Sequence, residues 1–239
     1  MPGIWLYVLA PIVVTMFGAV LTTVRVPSPR QQGALQHFAA GVVFAALGGE
    51  VLPDVMHRHA PAATVVGFVL GVAAMFGMRH WGERLESAPG RKTGLPVGII
   101  VAVGIDALLD GLVIGVSFTA ATKIGVLVTV ALSLEMLFLG LTTALALRES
   151  GASAPKAVAI TSGLALLIGV GAWLGLTLLR GLSAGTLGGV LSFGAATLLY
   201  LVTEELLHDA HKVPETNLVT SLFFAGFLLL FMIEMWIGG

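Results

Sequence analysis

Eight stretches of about 20 mainly apolar residues follow one another along the chain, roughly over 4–24, 33–53, 61–79, 95–118, 123–147, 157–179, 185–208 and 216–237. At 1.5 Å rise per residue, each is long enough as a helix to cross the about 30 Å hydrocarbon core of a bilayer. Short connections marked by Pro, Gly or charge separate them, at 25–32, 54–60, 80–94, 148–156 and 209–215. The longest polar stretch is 81–94. The pattern predicts an all-α integral membrane protein with a single transmembrane domain over 1–239. The first stretch has neither a basic leader nor a clear small-residue cleavage site, so it reads as a retained span and not a signal peptide.

Composition agrees with that pattern. Of 239 residues, 57% are hydrophobic and 10% charged, where soluble domains are about a quarter charged; mean hydropathy is +1.00. A net charge of −1 with no arginine-rich or aromatic-interleaved surface excludes nucleic acid as a partner. The bilayer is the partner. The chain has no cysteine, which removes disulfides, thiolate metal ligands and cysteine nucleophiles together. Of the 12 Lys and Arg, nine fall in connections one, three, five and seven (Arg25, Arg30, Arg79, Arg84, Arg91, Lys92, Arg148, Lys156, Lys212) and three in the others (Arg58, Lys123, Arg180). By the positive-inside rule both termini lie outside a multi-pass cell-membrane protein.

Against this background three carboxylates stand out. Asp106 and Asp110 lie in the fourth apolar stretch and Glu135 in the fifth. A carboxylate near the bilayer centre costs several kcal/mol, so such residues face a cavity and carry function. Asp106 and Asp110, four residues apart, share one helix face. The segment around 119–123 is short enough only for a tight turn, which makes spans four and five antiparallel and places Asp106 and Glu135 at one depth, ~20 Å from the turn. Three oxygen donors converging there make a cation site. Three like charges would repel one another. A divalent cation removes that penalty, and protons can replace it in the empty site, so metal–proton competition is a natural coupling mechanism.

An internal repeat accompanies the site. A shift of 155 carries Phe38, Glu50, Leu52 and Asp54 onto Phe193, Glu205, Leu207 and Asp209, while spans four and five align with Asp106 over Glu135, Gly111 over Gly140 and Leu112 over Leu141. The paired spans enter the membrane from opposite sides, the pattern of inverted-topology repeats that place a substrate site near the midplane. Glu50, Glu204, Glu205, His208 and Asp209, near the ends of spans two and seven, read as interfacial groups or as an entrance or exit station for a metal. His57 and His59 read as solvated, and His37 and His80 as snorkelling at span ends; Glu234 falls near the outer surface. Gly67/Gly71, Gly111/Gly115 and Gly171/Gly175 have the spacing that lets helices approach closely.

The motifs resemble those of the ZIP family of divalent-metal transporters. Asp106-Ala-Leu-Leu-Asp-Gly111 stands where that family has a His-Asn-x-Pro-Glu-Gly type motif, and Glu135-Met-Leu-Phe-Leu-Gly140 matches its span-five motif. Glu204-Glu-Leu-Leu-His-Asp209 and Glu50-Val-Leu-Pro-Asp54 resemble the motifs of spans seven and two. The resemblance implies a 3+2+3 inverted-repeat bundle, metal held between spans four and five, rocking or elevator-like alternating access and, often, a homodimer, which stays open for this chain. Zinc leads as the transported ion, with manganese, iron and cadmium admitted. The departures matter. Ala107, Met136, Leu139 and Leu166 occupy the positions of the family's second-metal ligands, so one site is expected and not two. Asp106 in place of the family's His leaves an all-oxygen set, which suits harder ions as well as zinc. The missing prolines predict straighter fourth and fifth helices.

Two other classes compete with a transporter. One is a membrane metal sensor or structural homologue that no longer transports. The other is an intramembrane metal-dependent hydrolase built on Glu204, Glu205, His208 and His211, which lacks a His-Glu-x-x-His pair and a Gly-x-Ser-x-Gly elbow. A hydrolase needs its polar cluster at span seven; a transporter needs Asp106, Asp110 and Glu135.

Overall fold

The computed structural model describes residues 3–24, 26–86, 96–178, 181–212 and 216–238. Eight helices in it are long and apolar enough to cross a membrane, and the described residues contain no strand. They are α1 (Ile4–Val24), α2 (Pro29–His57), α3 (Pro61–Glu86), α4 (Val97–Ala120), α5 (Thr122–Glu149), α6 (Ala154–Leu178), α7 (Ala184–Ala210) and α8 (Asn217–Gly238). The eight expected spans are all present, and several begin earlier or run longer than the apolar pattern marks. The polar segment 87–95, with Arg91 and Lys92, lies outside the described residues, as do Arg25, Arg180 and Glu215.

Helix ends account for the longer spans. Residues 29–32, expected as connection, are helical because Ser28 closes a capping box: its hydroxyl accepts from Gln31 N–H while its own N–H donates to Gln31 Oε1 at 2.9 Å, with Pro29 opening the helix. Ser28→Ala is expected to cost about 1 kcal/mol, read as a small fall in melting temperature in detergent, with little change in flux. At the other end of the centre, α5 is stopped by Gly151 at φ 93°, which lets Ala152 N–H reach Leu147 carbonyl and Gly151 N–H reach Arg148 carbonyl. Between α4 and α5 only Ala121, in extended conformation, makes the turn.

α2 and α7 each contain a widened turn. Leu47–Val51 and Leu201–Leu206 are π-helical, and under the shift of 155 found in the sequence the first falls within the second, on 202–206. Such insertions re-aim side chains and are frequent at functional sites. The first carries Glu50 and the second Glu204 and Glu205. Pro53 follows the first, but His208 stands at its counterpart, so a proline is not what both turns share. α4 and α5 are unbroken α-helix.

Glycines set the closest helix crossings, and the crossings come in matched pairs. On α1 and α5, a Cβ at Gly18 would meet Leu137 carbonyl and one at Gly140 would meet Thr15 carbonyl; on α6 and α4, Gly171 meets Leu108 carbonyl and Gly111 meets Ile168 carbonyl. The shift of 29 between α4 and α5 carries Leu108 to Leu137 and Gly111 to Gly140. Likewise Gly71 on α3 lies against Phe193 carbonyl of α7, and Gly226 on α8 against Phe38 carbonyl of α2, both related by 155. Gly115 and Gly175 face each other across the α4–α6 contact. These small residues bring backbones together where no hydrophobic drive separates lipid from protein.

α5 and α7 are the most enclosed helices, α3 and α8 the least. Large apolar side chains such as Leu6, Leu70, Leu218, Phe224 and Trp236 point outward, as expected of a lipid-facing wall. His37 corrects the expectation of snorkelling. Only 2% exposed, it is enclosed, its Nδ1 paired with Gly33 carbonyl and its ring 5.4 Å from that of His211. His57 and His59 are exposed.

Candidate metal site

Asp106, Asp110 and Glu135 come together. One ligand oxygen from each lies within 4.8 Å of the others, and all three residues are buried. The local causes are simple. A separation of four residues stacks Asp106 and Asp110 one turn apart on α4, and the single-residue turn at Ala121 folds α5 back at matching depth. Among the described residues no other group of three or more His, Cys, Asp or Glu side chains could hold a metal.

Asp110 Oδ2 and Glu135 Oε2 are buried without a hydrogen-bond partner. Leaving such acceptors unsatisfied is costly, and acceptor-only oxygens converging on one point are what a cation would satisfy. At its widest, a triangle of this size puts each oxygen about 2.8 Å from the centre, so an inward shift of under an ångström reaches the about 2.0–2.2 Å of zinc–carboxylate bonds. The residues that the resemblance sets at the ligand positions of a second metal carry no donor side chains. Ala107 and Met136 are buried. Leu166 does not belong in that comparison: it is 56% exposed and turned outward, while Thr161, Ala165 and Ile168 form the inner face of α6.

The station expected at spans two and seven divides into two places. Glu204, Glu205 and His208 border a cavity of about 320 Å³ with Arg79, Ala102 and Tyr200, at the end of the bundle where α4 begins and α7 finishes. Glu205 lines this cavity and lies near enough to Asp106 for the two carboxylates to repel each other. Arg79 Nη1 stands 3.6 Å from Glu204 Oε2. Asp209 is paired with Lys212 at 2.7 Å and does not line the cavity. Glu50 is a correction: it sits at the opposite end, beside Lys123 and Glu234. Reading the sequence missed Arg79 and Lys123 as partners of these carboxylates. The available signal was the shift of 155, which superposes Arg79 on Glu234.

No protein-family model matches the chain. It is 30% identical over 154 residues, 64% of its length, to the zinc transporter GufA of Myxococcus xanthus. The match spans about 60% of that relative. The resemblance read from the sequence is thereby borne out, and the chain is similar to a divergent ZIP-type metal transporter.

Proposed function

We propose that the chain moves divalent transition-metal cations across a membrane by alternating access, through one carboxylate site formed by Asp106, Asp110 and Glu135. The observation that carries this reading is the convergence of three buried carboxylates between two antiparallel spans, with an oxygen of Asp110 and one of Glu135 left without a hydrogen-bond partner. Similarity to a zinc transporter supports zinc as the substrate, and the all-oxygen set admits manganese, iron and cadmium. The metal-competent group lies at the α4–α5 pair and not in the α7 cluster, which favours transport over hydrolysis.

The direction of opening follows from the same geometry. Lys and Arg counts put the cavity end on the cytoplasmic side and both termini outside. In this reading the cavity lined by Glu205 is the inward-facing vestibule, and the outward end is closed by Glu50, Lys123 and Glu234. The matched crossings of α1 with α5 and α6 with α4 support an inverted repeat, which provides two packings of similar kind for the inward-open and outward-open states. The test is uptake of Zn, Cd, Mn, Fe and Co into proteoliposomes holding the full chain. Saturable flux with a reproducible order among the metals is expected; absence of flux under every gradient removes the transport reading.

A further inference from the structure

The closed end of the bundle holds a group that the transport reading leaves unexplained. Glu50, on the π turn of α2 and only 8% exposed, has Lys123 Nζ 2.6 Å from its Oε1, a close ion pair and not a well-directed hydrogen bond. Lys123 is the second residue of α5, immediately past the Ala121 turn. Glu234 of α8 brings its carboxylate close enough to Glu50 for the two acids to act on each other. Its carboxylate stands over Gly49, at a place that any Cβ on residue 49 would take. Two carboxylates and one ammonium thus tie three helices together.

The open end repeats this arrangement with the parts exchanged. The shift of 155 carries Glu50 to Glu205, Gly49 to Glu204 and Arg79 to Glu234. At the open end, Arg79 of α3 meets Glu204 and leaves Glu205 beside the cavity and the triad. At the closed end the position of Arg79 is filled by an acid, and the cation comes instead from Lys123, placed directly on Glu50. At each end a cation thus meets one of two neighbouring positions, Arg79 at Glu204 and Lys123 at Glu50, and at the closed end the carboxylate so engaged is the equivalent of Glu205.

We propose that Lys123 gates the closed end as a tethered cation, holding the Glu50–Glu234 pair that a divalent ion must engage to pass between that end and the triad. Ion and ammonium compete for the same oxygens, and displacement of Lys123 releases α5 from α2 and α8. This rests on the transport reading for its substrate, but not for the movement of the gate.

The test uses the full chain in proteoliposomes with Lys123→Met, which removes the charge at similar length, and Lys123→Arg, which keeps it. For zinc presented at the face bearing the α4–α5 turn, Lys123→Met lowers the half-saturating concentration several-fold, Lys123→Arg leaves it near wild type, and adding Glu50→Gln to Lys123→Met reverses the gain. Half-saturation from the other face is unchanged. An equal change at both faces makes Lys123 a general strut and overturns the proposal. A second readout needs no flux. Because the natural chain lacks cysteine, Ser117→Cys gives a single thiol at a site 1% exposed, in a small cavity with Val51 between α2, α4 and α7. Lys123→Met is expected to speed its labelling from the turn face several-fold and Lys123→Arg is not. Unchanged labelling overturns the gate, whereas faster labelling in a protein without flux keeps the gate and removes the transport reading.

Discussion

Asp106→Ala abolishes saturable zinc flux and weakens zinc binding by at least about 100-fold, a loss as large as or larger than that from deleting an outer-shell partner of a metal ligand. The variant removes one of three oxygen donors and leaves Asp110 and Glu135 without a third corner. Asp106→Asn keeps size and one oxygen but removes the charge, and falls between wild type and Ala. What separates ligand loss from misfolding is the sign of the stability change. A charged side chain near the bilayer centre costs about 2.5–3.5 kcal/mol on insertion scales, and the three carboxylates crowd within 4.8 Å. Neutralising one relieves that crowding, so the metal-free variant melts no lower than wild type, while the rise in melting temperature on adding zinc disappears. A variant that loses flux together with metal-free stability would show a structural role. Glu149→Gln, exposed at the end of α5, serves as the control and leaves both quantities unchanged.

Gly111 supplies the second large effect, through packing. It follows Asp110, and a Cβ there would occupy the space of Ile168 carbonyl oxygen on α6. The obstruction is backbone on an adjacent helix, which cannot rotate away like the tip of a side chain. Gly111→Ala is therefore expected to destabilise by about 1–3 kcal/mol, as overpacking does, and to weaken zinc binding because α4 must move with Asp110. Gly111→Val prevents accumulation of folded protein. Helix propensity predicts the opposite sign, since Gly→Ala inside a helix otherwise stabilises by about 0.5–1 kcal/mol. Gly163, on α6 with no atom near its missing Cβ, shows that ordinary sign: Gly163→Ala leaves melting unchanged or raised. Thermal unfolding of Gly111→Ala and Gly163→Ala in one detergent, with the yield of folded Gly111→Val, checks the contrast.

What was legible in the sequence follows from what a membrane helix displays. Depth is linear in residue number, so the apolar runs locate all eight spans, and counting from the Ala121 turn brings Asp106 and Glu135 to one level. A four-residue spacing fixes a shared face whatever surrounds the helix, which is why Asp110 joins them. Azimuth is harder. A helix in lipid is apolar toward both the lipid and its neighbours, so periodicity gives no contrast between faces. The family resemblance sets Leu166 at a ligand position near the site, yet it faces outward, and His37 reads as interfacial although it is enclosed. The π turns are equally hidden, because Gly48-Gly49 and their counterparts Thr203-Glu204 have no common residue pattern. Those turns decide where Glu50 and Glu205 point. The station expected as one cluster became two, one at each end, because motifs that match under a shift of 155 lie on α2 and α7 and point to opposite ends of the bundle. The shift itself held more than was taken from it: extended to α3 and α8, it pairs Gly71 with Gly226, which make equivalent crossings, and Arg79 with Glu234.

The most direct measurement is anomalous scattering from crystals of the full chain grown with zinc or cadmium. One strong peak per chain is predicted, between α4 and α5 and within bonding distance of Asp106, Asp110 and Glu135, and lost in crystals of Asp106→Ala. A protein that binds the ion only among Glu204, Glu205 and His208, with nothing at the triad, would contradict the account at its centre.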